Sequence, residues 1–304
     1  MVAGAPVMAR RRLSPRLRAT VAAFFFLLPA LLLLGLFEIG PVFYSFYVSL
    51  LRWNIIGTPE WVGFANYLAL RGDPDFWQAW LNTAYYVLLS VPTTMALALL
   101  LASALHRPLV GLGALRTAYF LPYVTAANAA AIVWFYVFHP EAGGLLNEAL
   151  RLVGLPRQRW LLDPRLAMPA VAITQVWHLL GYQAVLFLAG LQNISREYYE
   201  QAAIDGASGW RLFRYVTWPL LSPTTYFVLI ISLIGAFQVF SPVYIMTRGG
   251  PLDSTMVLVY YLYRHSFEYF DFGYASAIAY VLFVFLFILT LVQRRTIGTR
   301  VHYQ

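Results

Sequence analysis

The chain holds no cysteine and no lysine, and few charges of any kind. Without cysteine there is no disulfide framework, no thiolate nucleophile and no cysteine-ligated metal. Without lysine there is no phosphate-cradling G-K-[ST] loop and no Schiff-base amine, and all 21 basic side chains are arginines. Any ATP that drives this protein is therefore hydrolysed on another chain. Charged residues make up 11% of the 304, where a soluble domain carries about a quarter. Apolar residues make up 61% and the mean hydropathy is +0.66, so the sequence predicts an all-α integral membrane protein. The net charge of +8 raises the question of nucleic acid, but the arginines flank apolar runs, as membrane topology requires, and form no stripe.

A helix crosses a bilayer with roughly 20 predominantly apolar residues. Six segments qualify: 19–37, 79–105, 117–138, 166–192, 217–247 and 272–293. The basic stretch RRRLSPRLR before the first resembles the start of a signal peptide, but the apolar run is too long and no small-residue cleavage site follows, so it reads as a retained anchor. With the N-terminus inside, the cytoplasmic segments hold most of the arginines (Arg10, Arg11, Arg12, Arg16, Arg18, Arg107, Arg116, Arg196, Arg211, Arg214, Arg294, Arg295 and Arg300), while the outer loops carry more acids. The expected organisation is a cytoplasmic basic segment at 1–18, a six-helix membrane domain at 19–293 and a cytoplasmic tail at 294–304. The arginine distribution predicts a multi-pass membrane protein with both termini cytoplasmic. No low-complexity segment, soluble domain or internal repeat stands out.

Prolines 29, 92, 122, 169, 223 and 242 fall in these spans. They suit either kinked packing or irregular helices around a water-filled pathway, and the two are compatible. Glu38 falls at the outer end of the first span, and His178 is the ionisable group within the others. Ion-coupled carriers usually need intramembrane carboxylates or basic groups, so their scarcity counts against a proton or sodium symporter. The histidines show no metal spacing, and no carboxylate pair supplies an acid and a base at membrane depth, which counts against an embedded enzyme. What the spans carry is neutral polarity beside aromatics: Tyr123, Thr125, Asn128, Trp134 and Tyr136 in the third, Gln175, Trp177, His178, Tyr182 and Gln183 in the fourth, Gln238 and Tyr244 in the fifth. Amides hydrogen-bond hydroxyls and indoles stack on sugar rings, but amides also bridge membrane helices and a lone histidine is commonly a packed core residue.

Between the fourth and fifth spans the chain turns polar: NISREYYEQAAIDGASGWRLFRYVTWP. Ser195 is placed to cap a helix with Glu197 in its first turn, Gly206 to stop it, and Ser208 to cap a second helix that runs until Pro219 redirects the chain. The result is a helix–turn–helix, either a partner's docking element or an amphipathic connector on the membrane surface.

This stretch resembles the EAA coupling loop of ABC-importer membrane subunits, E-A-A-x(3)-G-x(9)-I-x-L-P. Glu200, Ala202, Gly206 and Pro219 are in register, with Gln201, Val216 and Trp218 as mild departures. With RWN…WVGFANY, FWQAWLNTAYYVLLSVP, RTAYFLPYV, VWHLLGYQAVLFLAGLQNI, FQVFSPVYIMTRGGP and FEYFDFGYASAIAY, the chain is similar to the carbohydrate-importer branch over 19–293. That branch contains the maltose, multiple-sugar and glycerol-3-phosphate permeases. The resemblance implies a type I importer membrane domain with its EAA loop, about 193–220, on the cytoplasmic side. It implies partners as well: a second homologous permease, two ATP-binding subunits that hold MgATP, and an extracytoplasmic binding protein. This chain itself would hold no cofactor and catalyse no reaction. Glu200, Ala202, Ala203, Asp205, Gly206, Arg211, Phe213 and Pro219 would serve the ATPase contact. Asn128, Gln175, His178, Gln183, Gln238 and Tyr244 would line the pathway, and Gly249, Gly250 and Pro251 in TRGGP would lie near the docked binding protein. The implied cargo is a saccharide or polyol moved by alternating access. Glycerol-3-phosphate or a glycerophosphodiester is the alternative, disfavoured by the lack of arginine in the span interiors. An ATP-independent carrier of a neutral solute and an envelope-lipid enzyme are the competitors from other classes.

Overall fold

The computed structural model describes residues 15–54, 57–106, 112–140 and 143–296. Most of the expected basic N-terminal segment, the tail from 297, Arg107 and Arg300 lie outside the described residues. In chain order the elements are α1 (Pro15–Leu33), α2 (Gly40–Ser49), the strands β1 (Leu51–Arg52) and β2 (Glu60–Trp61), α3 (Ala65–Gly72), α4 (Pro74–Leu105), α5 (Leu112–Val124), α6 (Ala127–Val137), α7 (Leu145–Leu152) and α8 (Ala167–Gln192). Then follow α9 (Arg196–Ile204), α10 (Gly209–Leu212), α11 (Trp218–Leu220), α12 (Ser222–Phe237), α13 (Ser241–Met246), α14 (Leu258–Tyr263) and α15 (Phe272–Thr296). Five helical segments are long and apolar enough to cross a membrane: Ala22–Ser49, Pro74–Leu105, Ala167–Gln192, Ser222–Met246 and Phe272–Thr296.

Three of the expected spans differ in shape. The first does not end near 37. A π-helical stretch, Leu34–Ile39, joins α1 to α2, so Glu38 stands within a continuing helix and not at its end. The third is a broken pair, Gly113–Val124 and Ala127–Val137, bent by 96°, and it makes a sixth span if counted as one. Because α5 starts at Leu112, Arg116 lies inside it and not in the preceding loop. The fifth is interrupted at Leu221 and again at Gln238–Phe240, each time just ahead of a proline in the first turn of the next helix. Pro29 and Pro92 sit inside unbroken helices.

In lipid the hydrophobic effect does not drive helices together, so close packing of small residues has to. The α4 face that meets α8 shows how: Ala79, Ala98 and Ala102 are fully buried, as are Ala170 and Ala184 on α8. The hydroxyls of Thr83, Ser90 and Thr94 turn back onto α4, to the Ala79, Tyr86 and Ser90 carbonyls, and Thr83 Oγ1 also accepts from the Leu258 amide of α14, so none of them is left unpaired. Gly181 marks the close crossing of α8 and α5. A Cβ there would stand 1.9 Å from the Tyr119 carbonyl oxygen, so only glycine lets α8 meet α5. The α1 helix, by contrast, buries none of its described side chains and only Leu28 is half-buried, while α2 joins the bundle by packing on α15.

At the end of the bundle opposite α9–α11, the chain is knotted by one carboxylate. Asp73 caps α4 through Oδ1, which accepts from the Asp75 and Phe76 amides, while Oδ2 accepts from the phenols of Tyr261 on α14 and Tyr274 on α15. Burial alone would raise this carboxyl, but the two phenols and two amides outweigh it and hold it below the usual carboxylate value. His265 packs among Tyr261, Tyr274 and Tyr269, with ring centroids 4.6, 4.7 and 5.1 Å away. Its burial pushes the imidazole below the ordinary histidine value, against the raising pull of Asp271, Asp73 and Asp75 and with the help of Arg264.

Two predictions follow from this packing. Gly181→Ala drives a methyl into backbone and destabilises the bundle by about 2–3 kcal/mol, read as lower yield and melting temperature in detergent. The second concerns pH. The folded state binds fewer protons at His265 than the unfolded chain, so its contribution is present above pH ~6.5 and fades as pH falls through the lower folded value. The melting temperature drops between pH 7 and 5, and His265→Phe flattens that slope. The contribution of Asp73 survives until pH falls below ~4.

Candidate functional site

The polar loop is two helices hung outside the bundle. Ser195 Oγ accepts from the Glu197 amide at 3.4 Å, the expected cap of α9. The helix ends in paired bonds, Gly206 N to Ala203 O at 3.0 Å and Ala207 N to Ala202 O at 2.8 Å, with Gly206 at φ +75°. This is a Schellman closure, and its left-handed residue explains the glycine. A second left-handed glycine, Gly209 at φ +51°, finishes the turn. Ser208 stands at the cap position of α10, but its side chain makes no capping bond. A π-helical stretch, Phe213–Thr217, then leads into α11. Pro219 is absorbed in the first turn of α11, and the interruption comes two residues later at Leu221. The loop is tied to the bundle by buried Ile194 and Thr217 and by Tyr199, whose hydroxyl meets Thr217 Oγ1 at 3.3 Å.

No residue of α9 or α10 is buried. Glu200, Ala203, Asp205 and Arg211 are exposed, Ala202 is half-buried, and among the described residues none of these charges forms an ion pair. Phe213 does not stand free. It stacks on Trp210 with centroids 5.3 Å apart and lies 6.2 Å from Trp218. The free apolar surface belongs to residues the sequence did not single out: Ile204 at 86% exposure, Trp210 at 72% and Tyr215 at 74%. Their signal was present as large apolar side chains in an otherwise polar stretch.

At mid-span, the polar residues of α8 divide between adjacent faces. His178 and Tyr182 meet α5. Tyr182 stacks on Tyr123 at 4.4 Å with the rings 13° from parallel, and His178 lies 6.2 Å from Tyr123. His178 Nε2 reaches the Thr125 carbonyl at 3.1 Å, at the bend between α5 and α6. A carbonyl only accepts, so the imidazole carries its proton on Nε2. Trp177 meets Trp134 of α6 edge-on at 5.6 Å. Gln175 and Gln183 instead line a cavity of about 10 Å³ with Ser90 and Thr94 of α4 and Ser232 of α12, space for one water. Gln183 is buried and donates to Ser232 Oγ at 2.9 Å, while its Oε1 has no partner among the described residues. Asn128, in the first turn of α6, and Gln238, at the interruption of the fifth span, are exposed. Tyr244 stacks on Phe240 at 5.2 Å, away from the His178 group. The expected pathway residues therefore fall in several places, with His178, Tyr123 and Tyr182 in one cluster.

At the opposite end, residues 247–256 form an ordered turn. Thr255 Oγ1 donates to the Gly250 carbonyl and meets Thr247 Oγ1, both at 2.7 Å. Gly249, at φ +83°, is buried so closely that a Cβ would stand 2.7 Å from Met256 Cε. Gly250 and Pro251 border a cavity of about 330 Å³ together with His139, Pro140 and Leu161, and Leu252 projects from the tip at 89% exposure.

Residues 62–297 match the family described as "Binding-protein-dependent transport system inner membrane component". The chain is 36% identical over 279 residues to the sn-glycerol-3-phosphate transport system permease protein UgpA of Agrobacterium fabrum, covering 90% of this chain and 94% of that one. It is 35% identical over 279 residues to the lactose transport system permease protein LacF of Rhizobium radiobacter, covering 90% and 93%. Among solved structures it shares its fold with a chain of a bacterial alginate ABC transporter, determined in complex with a pentasaccharide-bound periplasmic protein (TM-score 0.80, 22% identity, 94% of this chain and 96% of that one). The chain belongs to the family of binding-protein-dependent transport system inner membrane components and is a multi-pass permease subunit of an ABC importer, a transport component and not an enzyme.

Proposed function

We propose that this permease moves a neutral saccharide or polyol by alternating access, with a second homologous permease, two ATP-binding subunits carrying MgATP, and an extracytoplasmic binding protein. The observation that carries the cargo class is the cluster at the bend: the stacked Tyr123–Tyr182 pair, the His178 ring donor and the nearby Trp134–Trp177 pair. Flat aromatic faces and uncharged hydrogen-bonding groups suit a polyhydroxylated ring. Asn128, Gln175, Gln183, Gln238 and Tyr244 supply further neutral polarity around the pathway. The names of the relatives include both lactose and glycerol-3-phosphate. A phosphorylated cargo is the second reading, and Arg116 within α5 is the observation that favours it.

The α9–α11 loop is the proposed seat of the ATPase, on the cytoplasmic side, with both termini on that side too. Its support is a rigid left-handed turn carrying unpaired charges (Glu200, Asp205, Arg211) beside exposed Ile204, Trp210 and Tyr215. Aromatic anchors with charges at their rim are what a groove on another protein recognises. Ala202 and Ala203 permit close approach, Gly206 sets the angle, and Phe213 braces Trp210. Pro219 starts the helix that carries the motion into α12. Gly249, Gly250 and Pro251 would present the tip at Leu252 to the binding protein at the outer mouth.

Two outcomes are expected. Proline cannot adopt the positive φ of Gly206, whereas asparagine tolerates it. In co-purification, Gly206→Pro therefore loses the ATPase but keeps the second permease, Gly206→Asn keeps both, and Trp210→Ala weakens ATPase binding by about 2 kcal/mol. In proteoliposomes containing the whole complex, loaded binding protein stimulates ATP turnover with a neutral disaccharide. Stimulation by glycerol-3-phosphate alone would move the assignment to the second reading.

A further inference from the structure

The turn that carries Leu252 is fastened to one helix. Met256, Val257 and Leu258, just after it, are buried in the same apolar core as Ala79 and Tyr86 of α4. Within that contact the buried Asn82 of α4 donates through Nδ2 to the Asp253 carbonyl at 2.8 Å and the Met256 carbonyl at 3.0 Å. Both partners only accept, so the amide nitrogen faces them, and Oδ1 accepts from Gln78 Nε2 at 3.0 Å. Thr83, the next residue, accepts the Leu258 amide on Oγ1 at 2.9 Å, at the start of α14. These three bonds bridge 171, 174 and 175 residues of chain. The turn does not need them to close. It is already shut by its own bonds, Thr255 N to Gly249 O, Ser254 N to Pro251 O and Met256 N to Asp253 O.

Two routes lead from this turn towards the α9–α11 loop. The chain itself runs back through α13 and α12, but that span is interrupted at Gln238–Phe240 and at Leu221. The α4 helix is continuous from Pro74 to Leu105, and from Asn82 to Ala102 it rises about 30 Å. There Ala98 and Ala102 share a core with Ile194, just ahead of the Ser195 cap of α9, and with Leu221, just after α11. One unbroken helix thus holds the turn at one end and both roots of the loop at the other.

We propose that Asn82 and Thr83 are positioning residues that pass docking at the Leu252 turn into α4, and so to the loop that seats the ATPase. Such a role rests on the turn facing the extracytoplasmic binding protein, as proposed for Leu252. A turn held only by its own bonds could shift on docking and leave the bundle where it was. Clamped to α4, the turn and the helix move as one body. Coupling between two sites is reciprocal: the factor by which docking changes nucleotide affinity is the factor by which nucleotide changes docking affinity.

The test uses the whole complex in proteoliposomes, with wild type beside Asn82→Leu, Thr83→Val and Thr83→Ser. Affinity for loaded binding protein is measured with and without a non-hydrolysable ATP analogue, and ATP turnover with and without binding protein. In wild type the analogue changes the affinity. Asn82→Leu and Thr83→Val shrink that change about fivefold and cut stimulated turnover, while basal turnover is unchanged. Thr83→Ser, which keeps the acceptor for the Leu258 amide, behaves as wild type. Thr83→Val keeps the shape of the side chain and decides the matter if Asn82→Leu fails to assemble. A photo-cross-linker on Leu252→Cys separates the two ways of failing. An adduct with the binding protein, together with undiminished coupling in Thr83→Val and in any Asn82→Leu complex that assembles, overturns the proposal and leaves the docking face standing. A lower melting temperature with undiminished coupling does the same, since the clamp would then only stabilise the fold. No adduct in an active complex overturns the docking face and the proposal with it.

Discussion

In lipid a broken helix has to find partners for its freed backbone groups within the protein, and this structure depends on how it does so at Thr125. The 96° bend leaves the Thr125 carbonyl outside the pattern of a continuous helix, and His178 donates to it from α8. That bond needs α8 to lie close to α5, which Gly181 permits by resting against the Tyr119 carbonyl. One glycine and one histidine, less than one turn apart on the same helix, thus hold the irregular span. The small buried residues of α4 and α8 hold that helix in turn.

This gives α8 a double role. Its middle carries the aromatic and polar cluster, and its end runs through Asn193 and Ser195 into the loop. The other arm of the loop continues through a π-helical stretch and α11 into α12, whose Ser232 receives the Gln183 amide of α8. Gly190 packs against Thr224 and Leu221 where the two arms meet. A push on the loop therefore reaches the cluster through two helices that touch at Gly190 and again at Gln183. Such a frame suits a two-state assembly biased from outside, since packed interfaces shift between arrangements more readily than they deform.

The spans were legible because lipid demands long apolar runs, and the cap at Ser195 and the stop at Gly206 were legible because both are local rules. Features that depend on distant partners were not. The bend in the third span is met by a histidine 53 residues away, and Asp73 joins Tyr261 and Tyr274, 188 and 201 residues along the chain. Nothing in hydropathy marks a π-helical stretch, so the apolar run points to an end near 37 while the helix runs on to Ser49. Proline ends helices, which points to a bend at Pro219, yet Pro219 occupies a first turn, where its missing N–H costs nothing. The resemblance implies an ATPase contact for Phe213, and the structure stacks that ring on Trp210, the more exposed of the two.

The central claim is that the α9–α11 loop faces the ATPase while the Leu252 turn faces the binding protein. The natural chain has no cysteine, so single thiols report without background. Ala203→Cys and Leu252→Cys, each carrying a photo-cross-linker in the assembled complex, give the most direct reading. The account predicts an adduct of Ala203→Cys with the ATP-binding subunit and of Leu252→Cys with the binding protein. The reverse pattern, or an Ala203→Cys chain that forms no adduct with the ATP-binding subunit in an active complex, would contradict it.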